Sequence, residues 1–319
     1  MSNPEVSVII PTFNRAHLIR EALQSVFAQT FRGYEVIVVD DGSTDNTQEV
    51  LTPYLSRIRY VRQENQGASL ARNRGILLSQ APYVAFLDSD DKWTPEKLER
   101  QVAYLEAHPN AGLVYGQMLS YSLHDTDKKR ILPSKIVRSF QDLVRESNTI
   151  PTSTVLVRRR CFETVGFFSP AFPVAEDFDL WLRIARHFRI GYVEGVVAEY
   201  RVHTSNTTLN PEKVYRGYLK VFEKILSEYG DDLEDPKLIK NRVTMFRYLL
   251  GTHLLKSRRA KEAVGPIAAA LWNDWRLGIL FAKKNDSLKK KVLLSLKPYG
   301  AFLVSVVKGM FPSREVYAK

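Results

Sequence analysis

Cysteine occurs once, as Cys161, in a chain of 319 residues. A single thiol excludes an intramolecular disulfide framework and fits a reducing compartment. Glycine-rich phosphate loops are missing too. The segment after the first predicted strand, "PTFNRA", holds no glycine, which removes a G-x-G-x-x-G dinucleotide fingerprint, and no GxxxxGK[ST] loop occurs. The same segment offers Pro11, Thr12 and Phe13 where an aspartyl phosphatase or receiver fold would carry its nucleophilic Asp. No apolar run approaches the ~18 residues of a spanning helix. "VSVIIP" follows Glu5, lacks a basic leader and is too short for a secretory signal. These absences predict a cytoplasmic protein, soluble or peripheral at the inner face of the plasma membrane.

What is abundant is positive charge, and it is unevenly placed. The formal net charge is +11, yet residues 251–319 hold 14 Lys or Arg against 4 Asp or Glu, leaving 32 against 31 in the first 250. A near-neutral body argues against nucleic acid as a partner, whereas a basic end suits an anionic surface.

Two periods alternate through the first 120 residues. "VSVIIP" (6–11), "YEVIVVDD" (34–41), "RIRYVRQ" (57–63), "YVAFLD" (83–88) and "AGLVYGQM" (111–118) read as strands. "HLIREALQSVF", "TDNTQEVLTPYL", "SLARNRGILLSQ" and "TPEKLERQVAYLEAH" read as helices, the last with Thr94 as N-cap and Pro95 at the first helical position. This alternation predicts an α/β fold with a mostly parallel, doubly wound sheet. A strand "TSTVLVRR", a short helix at "CFETVG", a helix "DFDLWLRIARHF" and a strand "IGYVEGVVAEYRV" follow. Beyond Asn210 only helices are expected, so the chain divides into a catalytic domain at 1–207 and a helical, basic C-terminal region at 208–319.

Ligands of open parallel sheets bind beyond the carboxyl ends of the strands. There this sequence places "PTFN", "DDGSTD" and "DSDD", so Asp40, Asp41, Asp88 and Asp90 are expected along one rim. Crowded carboxylates repel unless a cation sits among them, and hard oxygen ligands favour Mn2+ or Mg2+ with a substrate phosphate completing the site. Each motif alone also reads as an Asx turn or helix cap; together, at neighbouring strand ends, they favour a site. Phe13 offers a stacking face for a base, and Asp41 can accept from a base N–H.

"VSVIIPTFNR", "VIVVDDGSTDNT", "NQGASLARNRG", "FLDSDD" and "AEDFDLWLRI", in this order, resemble the family 2 glycosyltransferases, which have the GT-A fold and use nucleotide sugars with inversion. The likeness spans residues 5–205. It implies that Pro11, Thr12, Phe13 and Asp41 contact the nucleobase and that the segment Gly67 to Arg74 approaches base and phosphates, with Arg72 or Arg74 on phosphate. It also implies that "DSDD" is the DxD element, with Asp88 and Ser89 near the ribose and Asp90 on the metal, Asp88 contributing. Asp177 matches the general base, with Glu176 as the less favoured neighbour and a helix-capping acid as the structural alternative. His203 is a further metal ligand or diphosphate contact by the same likeness, although a lone histidine also suits a structural hydrogen bond.

Trp181 reads as core, and the Lys and Arg runs at 128–129 and 158–160 read as solvated faces. The expected donor is UDP-linked, and the acceptor is a glycan, a lipid-linked glycan or a protein. Rival readings are an inactive sugar-nucleotide binder, a nonspecific nucleic-acid binder and a pyrophosphorylase-type nucleotidyltransferase. Residues 283–319 mix lysines with an apolar segment of about eleven residues, suited to an anionic membrane surface or, alternatively, to packing on the body or across a homo-oligomer.

Overall fold

The computed structural model describes residues 3–123, 129–132, 135–147, 150–204, 206 and 209–273. Contacts divide the chain into two compact units, Met1–Asn206 and Thr207–Lys319. In the first unit, strands β1 (Val6–Thr12), β2 (Tyr34–Asp40), β3 (Arg59–Arg62) and β4 (Tyr83–Phe86) alternate with helices α1 (Ile19–Phe27), α2 (Thr47–Leu51) and α3 (Ala68–Leu78). They are followed by β5 (Lys92–Trp93), α4 (Lys97–Ala107), β6 (Ala111–Ser122), β7 (Arg130–Leu132) and α5 (Phe140–Glu146). Strand β8 (Leu156–Arg158), helices α6 (Arg159–Val165) and α7 (Glu176–Ala185), and strand β9 (Arg189–Val202) complete the unit.

Among the described residues the strands form one nine-stranded sheet in the order β3-β2-β1-β4-β8-β6-β9-β5, with β7 paired to β6. The first four strands are parallel, as is the β6–β9 pair. Antiparallel neighbours enter through β8, β5 and β7. The register pairs Val6 with Tyr34 through Thr12 with Asp40, and Ile9 with Phe86. Strands β1 and β2 therefore end at one level, whereas β4 stops opposite Ile9, three residues earlier, and the chain after it continues alongside β1 toward the same rim.

The two faces of the parallel half explain its unbroken apolar runs. Val8, Ile10, Val36 and Val38 pack with Ile19, Leu23 and Val26 of α1, while Ile37 and Val39 pack with Ala71 of α3. Each such side chain, fully buried, contributes about 1.5–3 kcal/mol. Helix α3 lies so close to β1 that a Cβ at Gly75 would meet Ile9 Cγ2 at 2.4 Å. That glycine fixes the rotation of α3, and with it which arginine faces the rim.

Several local expectations are corrected. Helix α4 begins at Lys97, with Glu96 at its cap position, because Thr94 is engaged elsewhere. Its N–H and hydroxyl donate to the carbonyls of Val197 and Val196 on β9, and its own carbonyl accepts from Gln29. Strand β8 covers only Leu156–Arg158, because Thr152–Thr154 forms a single 3-10 turn. The arginines at 158–160 are not merely solvated: Arg158, Arg159 and Arg160 donate to the carbonyls of Ala111, Ala81 and Pro109. Trp181 is buried and donates to the Ile150 carbonyl.

The second unit comprises α8 (Pro211–Tyr229), α9 (Pro236–Lys256) and α10 (Ala260–Asn273). Asn210 and Asp235 cap α8 and α9 through their side chains, each followed by proline at the first helical position. Leu250, Leu254, Leu255, Ala263, Ile267 and Leu271 form its core. No helix among the described residues is long and apolar enough to cross a membrane. The basic segment 283–319 lies outside the described residues.

Candidate functional site

The rim is built from strand ends. Pro11 and Thr12 finish β1 and are buried, whereas Phe13 leaves the strand with 41% of its surface exposed, so its ring face is accessible. Asp40 is buried and structural: it accepts from the Ser43 N–H at 2.8 Å and the Tyr60 hydroxyl at 2.7 Å. Asp41 organises the loop before α3, accepting from Gln63 Nε2 and the N–H groups of Gln66 and Gly67 at 2.7–2.9 Å. Gly67 caps α3 at φ +89°, a conformation that favours glycine, and a Cβ there would point into open space.

After β4 the three carboxylates of "DSDD" meet different environments. Asp88 Oδ1 accepts from Arg72 Nη2 at 2.6 Å. Asp90 Oδ2 lies 3.0 Å from His203 Nε2 and 3.4 Å from Arg15 Nε. Asp90 is further anchored by the buried Arg201, whose Nε donates to its backbone carbonyl at 2.6 Å. Asp91 is buried and takes the Ser153 hydroxyl at 2.5 Å. Burial, and then the charges of Asp90 and Asp88, push the Asp91 carboxyl well above the ordinary range. Ser89 is buried beneath the turn.

The second acid group opens α7. Ala175 precedes it at φ +68°, a left-handed conformation that is uncommon for a non-glycine residue. Glu176 Oε1 accepts from Arg72 Nη1 at 2.7 Å, so this single buried guanidinium joins Asp88 to Glu176. Asp177 accepts from the Thr152 hydroxyl at 3.0 Å and from the Phe178 N–H at 2.7 Å. Burial and then the Glu176 charge push its carboxyl up to about 7, with Arg72, Phe178 and Thr152 acting in the opposite direction. Asp179 is structural, in an ion pair with Arg183 at 2.9 Å.

Thr12, Phe13, Asp41, Gly67, Arg72, Asp88, Ser89, Asp90 and His203 thus gather on one rim, with Asp177 tied to it through Arg72 and its neighbour Glu176. Arg74 is not brought to the site. Two positions along a helix turn a side chain by about 200°, and Arg74 is exposed. Sequence reasoning missed Arg15, Thr152, Ser153 and Arg201. Arg15 stood inside the quoted "PTFNR", whereas the other three reach the site only through contacts distant in sequence.

A divalent cation fits the chemistry of this donor set, two carboxylates and one imidazole around a turn whose third carboxyl is raised first by burial and then by its neighbours' charges. Among the described residues no three His, Cys, Asp or Glu side chains are grouped closely enough to hold a metal ion by themselves. Thr12 Oγ1, Arg72 Nε and Asp91 Oδ1 are buried without hydrogen-bond partners. Buried polar atoms in folded proteins are nearly all paired, with protein or with water.

The family model "Glycosyl transferase family 2" matches residues 7–166, about half of the chain. The chain belongs to glycosyl transferase family 2. An uncharacterized glycosyltransferase of Rickettsia prowazekii is 31% identical over 308 residues, covering 93% of each chain. Another, of Rickettsia conorii, is 30% identical over 88% of this chain, which spans only 48% of that relative's length. The UDP-Glc:alpha-D-GlcNAc-diphosphoundecaprenol beta-1,3-glucosyltransferase of Escherichia coli is 32% identical, covering 72% of this chain and 87% of that one. Among solved structures, S. aureus TarS 1-349 in complex with UDP-GlcNAc aligns with a TM-score of 0.58 at 19% identity, over 96% of this chain and 91% of that one. The mannosyltransferase PcManGT from Pyrobaculum calidifontis, in complex with GDP-Man and Mn2+, aligns at 0.56 and 20%, over 98% and 88%. These likenesses show the fold, an α/β GT-A architecture with a curled, mostly parallel sheet.

Proposed function

We propose that this family 2 member is an inverting glycosyltransferase that moves a hexosyl or N-acetylhexosaminyl unit from a UDP-sugar to an acceptor hydroxyl during glycan assembly. The observation that carries this reading is the joining of two acid groups by Arg72, the metal-type turn at 88–91 and the raised carboxyl of Asp177. The UDP donors named for the E. coli relative and for TarS support the donor, and the diphosphoundecaprenol of that relative supports a lipid-linked acceptor.

Each residue then has a task. Phe13 stacks on the base, and Asp41 Oδ2, which accepts from Gly67, retains lone-pair capacity for one base N–H. Asp90 and His203, 3.0 Å apart, would hold Mn2+ or Mg2+ together with the donor's phosphates, with Asp88 of the same turn contributing once released from Arg72, and the ion would supply charge neutralisation at the departing diphosphate. Arg15 adds a cation at the same place. Asp177 accepts the proton of the acceptor hydroxyl as that oxygen bonds to the anomeric carbon, and the broken C–O bond leaves its electron pair on the diphosphate. A single displacement inverts the anomeric centre. The basic segment 283–319 holds the protein peripherally at an anionic surface, beside a lipid-linked acceptor.

A panel of nucleotide sugars, scored for hydrolysis and for protection against thermal unfolding with and without Mn2+, tests the reading. Protection and turnover with UDP-sugars that depend on Mn2+ are expected. Protection without turnover across panel and acceptors would leave a sugar-nucleotide binder instead.

A further inference from the structure

The turn Thr152–Thr154 is buried throughout, although all three residues carry hydroxyls. Buried hydroxyls are costly unless they are hydrogen-bonded, and two of these find partners distant in sequence. Thr152 Oγ1 donates to Asp177 Oδ2 at 3.0 Å. Ser153 Oγ donates to Asp91 Oδ2 at 2.5 Å and accepts from the Asp88 N–H at 3.0 Å. Adjacent residues therefore grip the two acid groups whose spacing the transfer reaction requires.

The turn is itself held rigidly from below. Trp93 Nε1 donates to the Ser153 carbonyl at 2.7 Å, Gln101 Nε2 to the Thr154 carbonyl at 2.8 Å and Lys97 Nζ to the Val155 carbonyl at 3.1 Å. Lys97 is fully buried, donates to Gln101 Oε1 at 2.6 Å and lies 4.1 Å from the Trp93 ring centre. Three side chains from β5 and α4 thus fix three successive carbonyls, a construction well beyond what a connecting turn needs.

We infer that Thr152 and Ser153 are positioning residues of the transfer reaction, one turn holding the base and the acid turn in register through neighbouring hydroxyls. This rests on the reading of Asp177 as the base. Thr152 acts on Asp177 and Ser153 on the acid turn, so their loss has different signatures. A hydroxyl donating to a carboxylate favours its charged form. Charged groups acting on Asp177 include Glu176 on its own helix and Arg72 from α3, and the Thr152 hydroxyl and the Phe178 N–H are uncharged donors to it.

The test uses the full chain. Thr152→Val keeps the shape and removes the donor, so the acid limb of its kcat profile shifts upward by ~1 pH unit, the scale of one lost hydrogen bond to a charged group. Donor KM is expected to change by less than about twofold, since the base acts on the acceptor. Thr152→Ser, which keeps the donor, restores the parent limb. Ser153→Ala instead weakens Mn2+-dependent UDP binding, read by calorimetry, by ~5–10-fold through a less fixed acid turn. If the valine variant does not accumulate as folded protein, Thr152→Ala replaces it with the same expectation. A uniform fall in turnover with an unshifted limb, or a serine variant as shifted as the valine one, overturns the role of Thr152. UDP affinity unchanged in Ser153→Ala overturns that of Ser153. Full turnover in Asp177→Asn would sink the base assignment separately, whereas an inactive Asp177→Asn beside an unshifted Thr152→Val sinks this inference alone.

Discussion

Asp88 and Asp90 of the acid turn and Asp177 of the acid pair use the same residue chemistry in opposite settings. In the turn, Asp88 meets Arg72, and Asp90 meets Arg15 and His203. In the pair, Arg72 faces Glu176, and Asp177 is held by a hydroxyl and a backbone amide. Its carboxyl rises to about 7, first through burial and then through the charge beside it. Carboxylates that face arginine and histidine side chains can exchange them for a metal and a diphosphate. A carboxyl poised near neutrality is prepared to take a proton. The difference teaches that environment, rather than residue type, divides the work, and that Arg72 links the two groups.

The contrast can be broken at several points. Asp177→Asn is expected to lower kcat by ~10²-fold or more, the usual scale for a general base, measured by product formation at saturating donor. Arg72→Lys keeps a charge but presents a single point donor that cannot bridge Asp88 and Glu176. Turnover is expected to fall ~10-fold, with the geometry loosened on both sides.

For the parent protein, kcat is expected to rise with pH and level off above about 7, as Asp177 loses its proton. A flat profile between pH 5 and 8 would assign the proton to another group. Stability follows with a definite sign. A carboxyl whose proton is bound more tightly in the folded state favours folding fully below its ordinary value, and that contribution is lost as pH rises through about 7. Asp177→Asn is therefore expected to raise Tm by a few degrees at pH 8 and by less at pH 5.5, as read by thermal scans. The smallest effect on catalysis belongs to deletion of residues 283–319. Binding to anionic liposomes is expected to disappear while donor hydrolysis persists.

Much of the first unit was legible because its signals are local. Unbroken apolar runs gave β1, β2 and β4, and the acids past them fell on the rim because β1 and β2 end in register and the chain after β4 continues alongside β1. What escaped was decided by contacts distant in sequence. Thr94 looks like a cap until β9, a hundred residues later, supplies the carbonyls it binds. "TSTVLVRR" alternates like a strand, yet its first hydroxyls are drawn to Asp177 and Asp91 and the chain turns there. Arg72 and Arg74 are equivalent on paper, and the packing of α3 through Ala71 and Gly75 against the sheet turns Arg72 inward. The short strands β5 and β7 carry too few residues for any period to show.

The division of labour is tested most directly by titrating UDP, with and without Mn2+, into the parent, Asp90→Ala and Asp177→Asn proteins by calorimetry. The account predicts that Mn2+ strengthens UDP binding in the parent and in Asp177→Asn alike, and that this gain vanishes in Asp90→Ala. Mn2+-dependent binding that survives in Asp90→Ala, or is lost in Asp177→Asn, would contradict it.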